Sequence, residues 1–215
     1  MEKMIDNICK ERGYTIDYLS DGSPIFASKN LYSFTSDSTA LAKMVKEKDI
    51  ETLVDLCSGG GIVGLEVIGS QNVNNLVMVE IQTPLATMAE FSSKLSKTKT
   101  DIKVLNINLK DSLNFLKEGS VDVITCNPPY FKKGSGEAPK DTSRALARHE
   151  LLVTLEDIIS LANKLLKKSG KLYMVHIESR MAEITKLLNH NNFTLEDKIV
   201  LGGKLKRVLI EAKKV

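Results

Sequence analysis

Apolar and polar positions divide the chain into a short irregular beginning and a long regular remainder. Up to residue 30, short apolar pieces alternate with turn formers such as Asp21-Gly22-Ser23-Pro24, which predicts a small hairpin or cap. Asp37 or Ser36 is then placed to cap a helix running through Leu41, Met44 and Val45. From residue 52 onward, compact apolar runs alternate with helical periodicity. The runs 52–57, 76–81, 102–107, 121–126 and 171–175 read as buried strands. Helices are predicted through Ile62, Leu65, Val67 and Ile68, over 84–97, around 112–116, over 155–167 and over 181–188. The helix 155–167 carries Leu155, Ile158, Ile159, Ala162 and Leu165 on one face. Two last strands, 195–200 and 208–212, are joined through Gly202-Gly203 with no helix between them. The expected fold is α/β: seven strands, mostly parallel, with helices on both faces and an antiparallel edge. Residues 1–36 are expected to form a small N-terminal cap or hairpin and 37–215 the main domain. The longest stretch without periodicity is the polar loop from 132 to about 144.

Composition narrows the class. With 215 residues, 42% hydrophobic and 27% charged, the chain can bury a core and is not dominated by disorder. A net charge of +3 neither requires nor excludes a nucleic-acid partner. Cys9, Cys57 and Cys126 lie far apart with no metal-ligand spacing, so neither a disulfide framework nor a metal is expected. The start, Met1-Glu2-Lys3-Met4-Ile5-Asp6, carries charge from its second residue, and no apolar run approaches the ~20 residues of a membrane span. A cytoplasmic location without membrane attachment is expected.

The first candidate chemistry lies between the first long strand and its helix, in Val54-Asp55-Leu56-Cys57-Ser58-Gly59-Gly60-Gly61-Ile62-Val63-Gly64. Glycines there permit close backbone approach by a ligand at the carboxyl edge of a parallel sheet. Gly59, Gly61 and Gly64 also satisfy a dinucleotide fingerprint. Asp55 argues for another ligand, because a phosphate site has no use for an anion inside the strand end, whereas an amino group does. Glu80, at the end of the next strand, is placed to accept from both ribose hydroxyls. Asp111, with Ser112 beside it, follows the third strand and is positioned to meet an exocyclic adenine amine, although a solvated loop acid is the competing reading. Together the acids describe adenosine carrying an amino-acid tail, which fits S-adenosylmethionine better than NAD.

Asn127-Pro128-Pro129-Tyr130 follows the fourth strand and is the most specific feature of the chain. Two prolines stiffen the turn and remove N–H donors, so it presents oxygens without competition. The side-chain oxygen of Asn127 and the carbonyl of Pro128 can each accept one N–H of a planar amine. That turns the nitrogen lone pair toward an electrophilic methyl group and stabilises the charge that develops on nitrogen. Tyr130 can stack on a planar base.

With these residues the chain resembles the class I S-adenosylmethionine-dependent methyltransferases of the amino-methylating NPPY group. More narrowly, it resembles the bacterial tRNA adenine-N6 methyltransferases that modify valine tRNA beside the anticodon. The narrower likeness rests on Phe34-Thr35-Ser36-Asp37, on 55–61, on Asn127-Pro128-Pro129-Tyr130-Phe131 and on Ala147-Arg148-His149-Glu150. It also uses Lys168-Ser169-Gly170 and Val175-His176 with Arg180, and it extends from about Leu31 to Ala212. Cys57 stands where the family loop has its first glycine, and the segment before Leu31 matches poorly.

The resemblance implies a Rossmann-like seven-stranded sheet and S-adenosyl-L-methionine as cofactor, held by Asp55, Cys57, Ser58, Gly59, Gly61, Glu80, Ile81, Asp111, Ser112 and Asn127. It implies Asn127, Pro128 and Tyr130 as catalytic residues, and tRNA as partner of a monomeric protein. Phe131, Lys132, Lys133, Arg144 and Arg148 are the expected RNA contacts, since a basic loop beside the turn can meet phosphates flanking a flipped base. The C-terminal cluster Lys204, Lys206, Arg207, Lys213 and Lys214 reads equally as a solvated surface. Two alternatives stand beside adenine in tRNA. One is another acceptor for the same chemistry: guanine in ribosomal RNA, adenine in DNA, or glutamine in a release factor. Little chain precedes the first long strand, which leaves little room for the helical N-terminal domain of release-factor enzymes. The other is an RNA-binding protein that keeps the fold without catalysis.

Overall fold

A computed structural model of the protein describes residues 2–28, 31, 36–131, 152–203 and 205–215. The chain opens with helix α1 (Glu2–Arg12), then a hairpin of β1 (Thr15–Tyr18) and β2 (Pro24–Ala27), then α2 (Ser36–Met44). The alternating part follows as β3 (Asp49–Leu56), α3 (Ile62–Ser70), β4 (Asn72–Val79), α4 (Thr83–Ser93) and β5 (Asp101–Leu105). A 3-10 turn (Leu109–Asn114) leads to β6 (Val121–Cys126), and α5 (Leu155–Leu165) to β7 (Leu166–Ile177). A short 3-10 turn (Glu178–Arg180), α6 (Met181–His190), β8 (Phe193–Leu201) and β9 (Arg207–Lys214) complete it.

Seven strands form one sheet in the order β5-β4-β3-β6-β7-β9-β8. The first five of that order run parallel, and β9 lies antiparallel between β7 and β8. Apolar residues fill both pleat faces because both are covered. Leu53, Leu76, Met78 and Val123 pack with α2 and α3 through Leu41, Val63, Leu65 and Val67. Val54, Leu56, Val79, Ile124 and Cys126 face the other way, onto Ile158, Ile159, Ala162 and Leu165 of α5 and Ile184 and Leu188 of α6. Thr154 and Asp157 close the start of α5 with a reciprocal capping box. Strand order reverses between β3 and β6, so the crevice beyond Leu56 and Cys126, which pair in register, is where such a sheet takes ligands. Among the described residues, no helix is long and apolar enough to cross a membrane.

Several elements differ from the sequence expectations. Helix α1 replaces part of the irregular beginning; its Ile5, Ile8 and Cys9 share one face and pack beside Tyr14 and Phe26. The expected helix 155–167 ends at Leu165 and β7 begins at Leu166, before the expected 171: Leu166 pairs with Val121 and Lys171 with Val123, so residues 167–170 bulge, with Ser169 at φ 66°. Asp37 lies within the first turn of α2, where its carboxylate pairs with Arg207 Nε at 2.9 Å. Helix α4 also ends at Ser93, before the expected 97, and β5 at Leu105.

Candidate active site

The turn after β3 is shaped by backbone that few side chains tolerate. Gly59 and Gly61 take φ of +56° and +90°, and Gly61 caps α3 from the left-handed region. Cys57, also left-handed at φ 56°, occupies such a conformation without being glycine. A Cβ on Gly64 would lie 2.9 Å from Leu76 Cδ1, so glycine lets α3 settle onto β4. These approaches leave a cavity at the carboxyl edge of the sheet.

Its walls come from five directions. The loop supplies Cys57, Ser58, Gly59 and Gly60; the end of β4 supplies Glu80 and Ile81; Ile107, Asn108 and Leu109 follow β5. Asn127 and Pro129 close the far side with Ser38 of α2. Ile25 to Ser28 form a further wall, held because Phe26 N–H donates to Ser92 Oγ and the hairpin packs on Leu85 and Met88.

Glu80 is 6% exposed, and its two oxygens accept from Gly59 N–H and Gln82 N–H, each at 2.8 Å. Burial raises its pKa, while those bonds oppose the shift. The carboxylate keeps lone-pair capacity for a further donor. Asp55 lies beneath the cavity without lining it. One of its oxygens accepts from Thr125 Oγ1 at 2.7 Å and the other from Gly64 N–H at 3.1 Å, tying β3 to β6 and α3. Burial first, opposed by those bonds, and then the charge of Glu80 push the Asp55 carboxyl from 3.8 up to about 7.

That shift has a consequence for stability. The folded-state pKa of Asp55 exceeds the unfolded one, so folding binds a proton; its contribution is whole below about pH 4 and is lost as pH rises through about 7. Asp55→Asn removes the titration. Its unfolding free energy relative to wild type is expected to rise by up to about 2.5 kcal/mol between pH 5 and pH 8. Urea titrations at the two pH values measure this, and an unchanged difference would mean that the carboxyl stays ionised.

After β5 the cavity meets Asn108, not Asp111. Asp111 is exposed, and Ser112 is buried with its hydroxyl unpartnered among the described residues; neither lines the cavity. The 3-10 turn sets this arrangement, because the Asn108 side chain caps it by accepting from Lys110 N–H at 3.0 Å.

Asn127 is held at both ends of its amide. Its Nδ2 donates to Ser38 Oγ at 3.0 Å, and its Oδ1 accepts from the Tyr130 hydroxyl at 2.8 Å. Pro128 is buried. The Tyr130 ring lies against His176, with centroids 5.4 Å apart, and its carbonyl accepts from Arg180 Nη1 at 3.3 Å. Arg180 is gripped by both oxygens of Glu183. His176 is fully buried, and its Nδ1 accepts from Ile177 N–H at 2.9 Å. Burial, then the charge of Arg180, lower its pKa to about 4, so the ring is neutral and acts as packing behind the turn. Cys126 is buried beside Cys57, and burial raises its thiol well above the usual range.

The structure thus gathers Cys57, Ser58, Gly59, Glu80, Ile81 and Asn127 around one cavity, with Pro128 and Tyr130 in the adjoining turn. Gly61 and Asp55 support the loop from below. Phe131 is half-buried just beyond the turn, whereas Lys132, Lys133, Arg144 and Arg148 lie outside the described residues. In the C-terminal cluster, Arg207 is paired with Asp37 and Lys214 Nζ donates to main-chain carbonyls, while Lys206 is exposed. Sequence reasoning passed over Ser38, Asn108 and the wall 25–28. The apolar run Ile25-Phe26-Ala27 was its visible signal; the contact of Ser38 with Asn127 spans 89 positions and has none.

The profile of the family described as methyltransferase small domain matches residues 24–196. A tRNA1(Val) (adenine(37)-N6)-methyltransferase of Trichodesmium erythraeum is 27% identical over 143 residues, 66% of this chain and 59% of that protein. Ribosomal RNA large subunit methyltransferase G of Colwellia psychrerythraea is 26% identical over 159 residues, 73% of this chain and 37% of that protein. The match to the first of these thus spans less than two thirds of the relative's length. Among solved structures, TrmN from Thermus thermophilus superposes with a TM-score of 0.62 at 17% identity, over 83% of this chain and 48% of that one, a likeness of fold.

Proposed function

Because the chain belongs to the methyltransferase small domain family, we propose that it methylates N6 of an adenine in tRNA, in valine tRNA beside the anticodon, with S-adenosylmethionine as methyl donor. The residues present fit that cofactor. Glu80 offers acceptors for the ribose hydroxyls, Ile81, Ile107 and Leu109 offer apolar contact for a planar base, and Asn108 offers polar groups to its edge. The buried Ser58 hydroxyl, unpartnered among the described residues, supplies a further polar group at the loop. When bound, S-adenosylmethionine supplies a methyl group made electrophilic by its sulfonium.

The observation that carries the reading is Asn127, whose acceptor oxygen is held at the cavity rim in a turn stiffened by Pro128 and Pro129. Oδ1 has a lone pair left beside the one taken by Tyr130, so it can accept one N–H of an adenine amine while the Pro128 carbonyl accepts the other. The two acceptors orient the nitrogen and become better partners as positive charge grows on it. The proton then leaves to water, with no general base required. Tyr130, backed by His176, would stack on the base.

Lys132 and Lys133 follow this turn after Phe131, and we assign them to the RNA backbone. Replacing both by alanine should raise the RNA KM and flatten its salt dependence by about two phosphate contacts. An unaltered salt slope would remove the segment from the RNA path. The protein is proposed to act as a cytoplasmic monomer. The reading is tested by offering labelled S-adenosylmethionine with tRNA, ribosomal RNA, duplex DNA or release factor. Label in tRNA supports it, and label in another acceptor alone replaces it.

A further inference from the structure

The first turn of α2 reaches the reacting end of the site although it lies 89 positions away in sequence. Ser38 is 2% exposed, lines the cavity, and receives the Asn127 Nδ2 hydrogen at 3.0 Å. An asparagine amide has one accepting and one donating end, and only the accepting end can serve an amine substrate. Turned over, the same side chain would present N–H groups to the substrate N–H and oppose binding.

The frame that holds the amide is built from the antiparallel edge of the sheet. Asp37, adjacent to Ser38, is 3% exposed and pairs with Arg207 Nε at 2.9 Å, which fastens α2 to β9. Arg207 pairs in register with Ile177 of β7, and the preceding residue, His176, carries the Tyr130 ring. Both partners of the Asn127 amide are therefore anchored to one end of the β7–β9 pair. Tyr130 grips the oxygen from one side and Ser38 the nitrogen from the other.

We propose that Ser38 is a positioning residue for methyl transfer: by accepting from Asn127 Nδ2, it holds the amide plane at the cavity, with Oδ1 available to the substrate amine. The proposal rests on the assignment of Asn127 above. Ser38 touches neither reacting atom; it acts through Asn127.

The test compares Ser38→Ala, Ser38→Thr and Asn127→Ala in single-turnover transfer to tRNA from a strain lacking the enzyme. Melting curves and S-adenosylhomocysteine affinity are measured alongside. Ser38→Ala is expected to be about tenfold slower, the change that follows from losing a bond of ordinary strength, with cofactor and RNA affinities within about twofold. Ser38→Thr, which keeps the hydroxyl, should recover most of that rate. A Ser38→Ala rate equal to wild type, beside a slow Asn127→Ala, overturns the proposal alone. So does a Ser38→Thr as slow as Ser38→Ala, or a rate loss matched by lost cofactor affinity, which would make Ser38 merely a wall of the cavity. A wild-type rate for Asn127→Ala overturns the assignment of Asn127 together with the proposal. Should Ser38→Ala fail to fold, Ser38→Thr decides by its own rate.

Discussion

Asn127→Ala is expected to slow single-turnover methylation by about 100-fold or more while changing S-adenosylhomocysteine affinity only a few-fold. The size follows from losing one preorganised partner of a charge that develops in the transition state. Asn127 borders the cavity, so a small loss of cofactor affinity is consistent with the same geometry. The ground state loses less, because an amide oxygen gains most from an N–H that becomes acidic as the methyl group arrives. Tyr130→Phe should be mild by comparison: it removes the bond to Oδ1 but leaves the ring on His176 and the Ser38 bond in place. Tyr130→Ala should impair both base capture and rate. Near-normal turnover by Asn127→Ala would reduce the turn to scaffolding.

Glu80→Ala should weaken S-adenosylhomocysteine binding by about 1.5–3 kcal/mol, the scale of hydrogen bonds to a charged acceptor. The structure adds a second effect. Gly59 N–H and Gln82 N–H would both lose their acceptor, so the loop and the start of α4 should loosen together. A lowered melting temperature without ligand is therefore expected beside the lowered affinity. Glu80→Gln does not restore both bonds, because its amide nitrogen would face a donor. Calorimetry with S-adenosylhomocysteine measures the first effect, and unchanged affinity would place the ribose elsewhere.

The parts of this architecture written in local pattern were readable from sequence. Apolar runs such as 52–57 and 121–126 announce strands covered on both faces, and the strands observed there reach Leu56 and Cys126. The glycine loop, Glu80 and Asn127 meet at one cavity because parallel strands place all their carboxyl ends on one edge. What was not readable depends on tertiary direction. An acid after β5 is visible in Asp111, but the 3-10 turn decides that Asn108 faces inward and Asp111 faces water. Asp55 stands at the strand end expected for a ligand amine, yet it lies beneath the cavity, tied to Thr125 and Gly64. The residues before Leu31 read as a small hairpin or cap, and nothing in their pattern shows that Ile25 to Ser28 form a wall of the cavity once Phe26 is tied to Ser92. Ser38 had no pattern to betray it, because its role exists only where α2 meets β6.

The most direct test of the central claim is nucleoside mass spectrometry of tRNA from the parent strain and from one lacking this protein. The account predicts N6-methyladenosine in valine tRNA of the parent, its loss in the deletion strain, and its return with wild-type protein but not with Asn127→Ala. N6-methyladenosine at parental levels in tRNA of the deletion strain would contradict it.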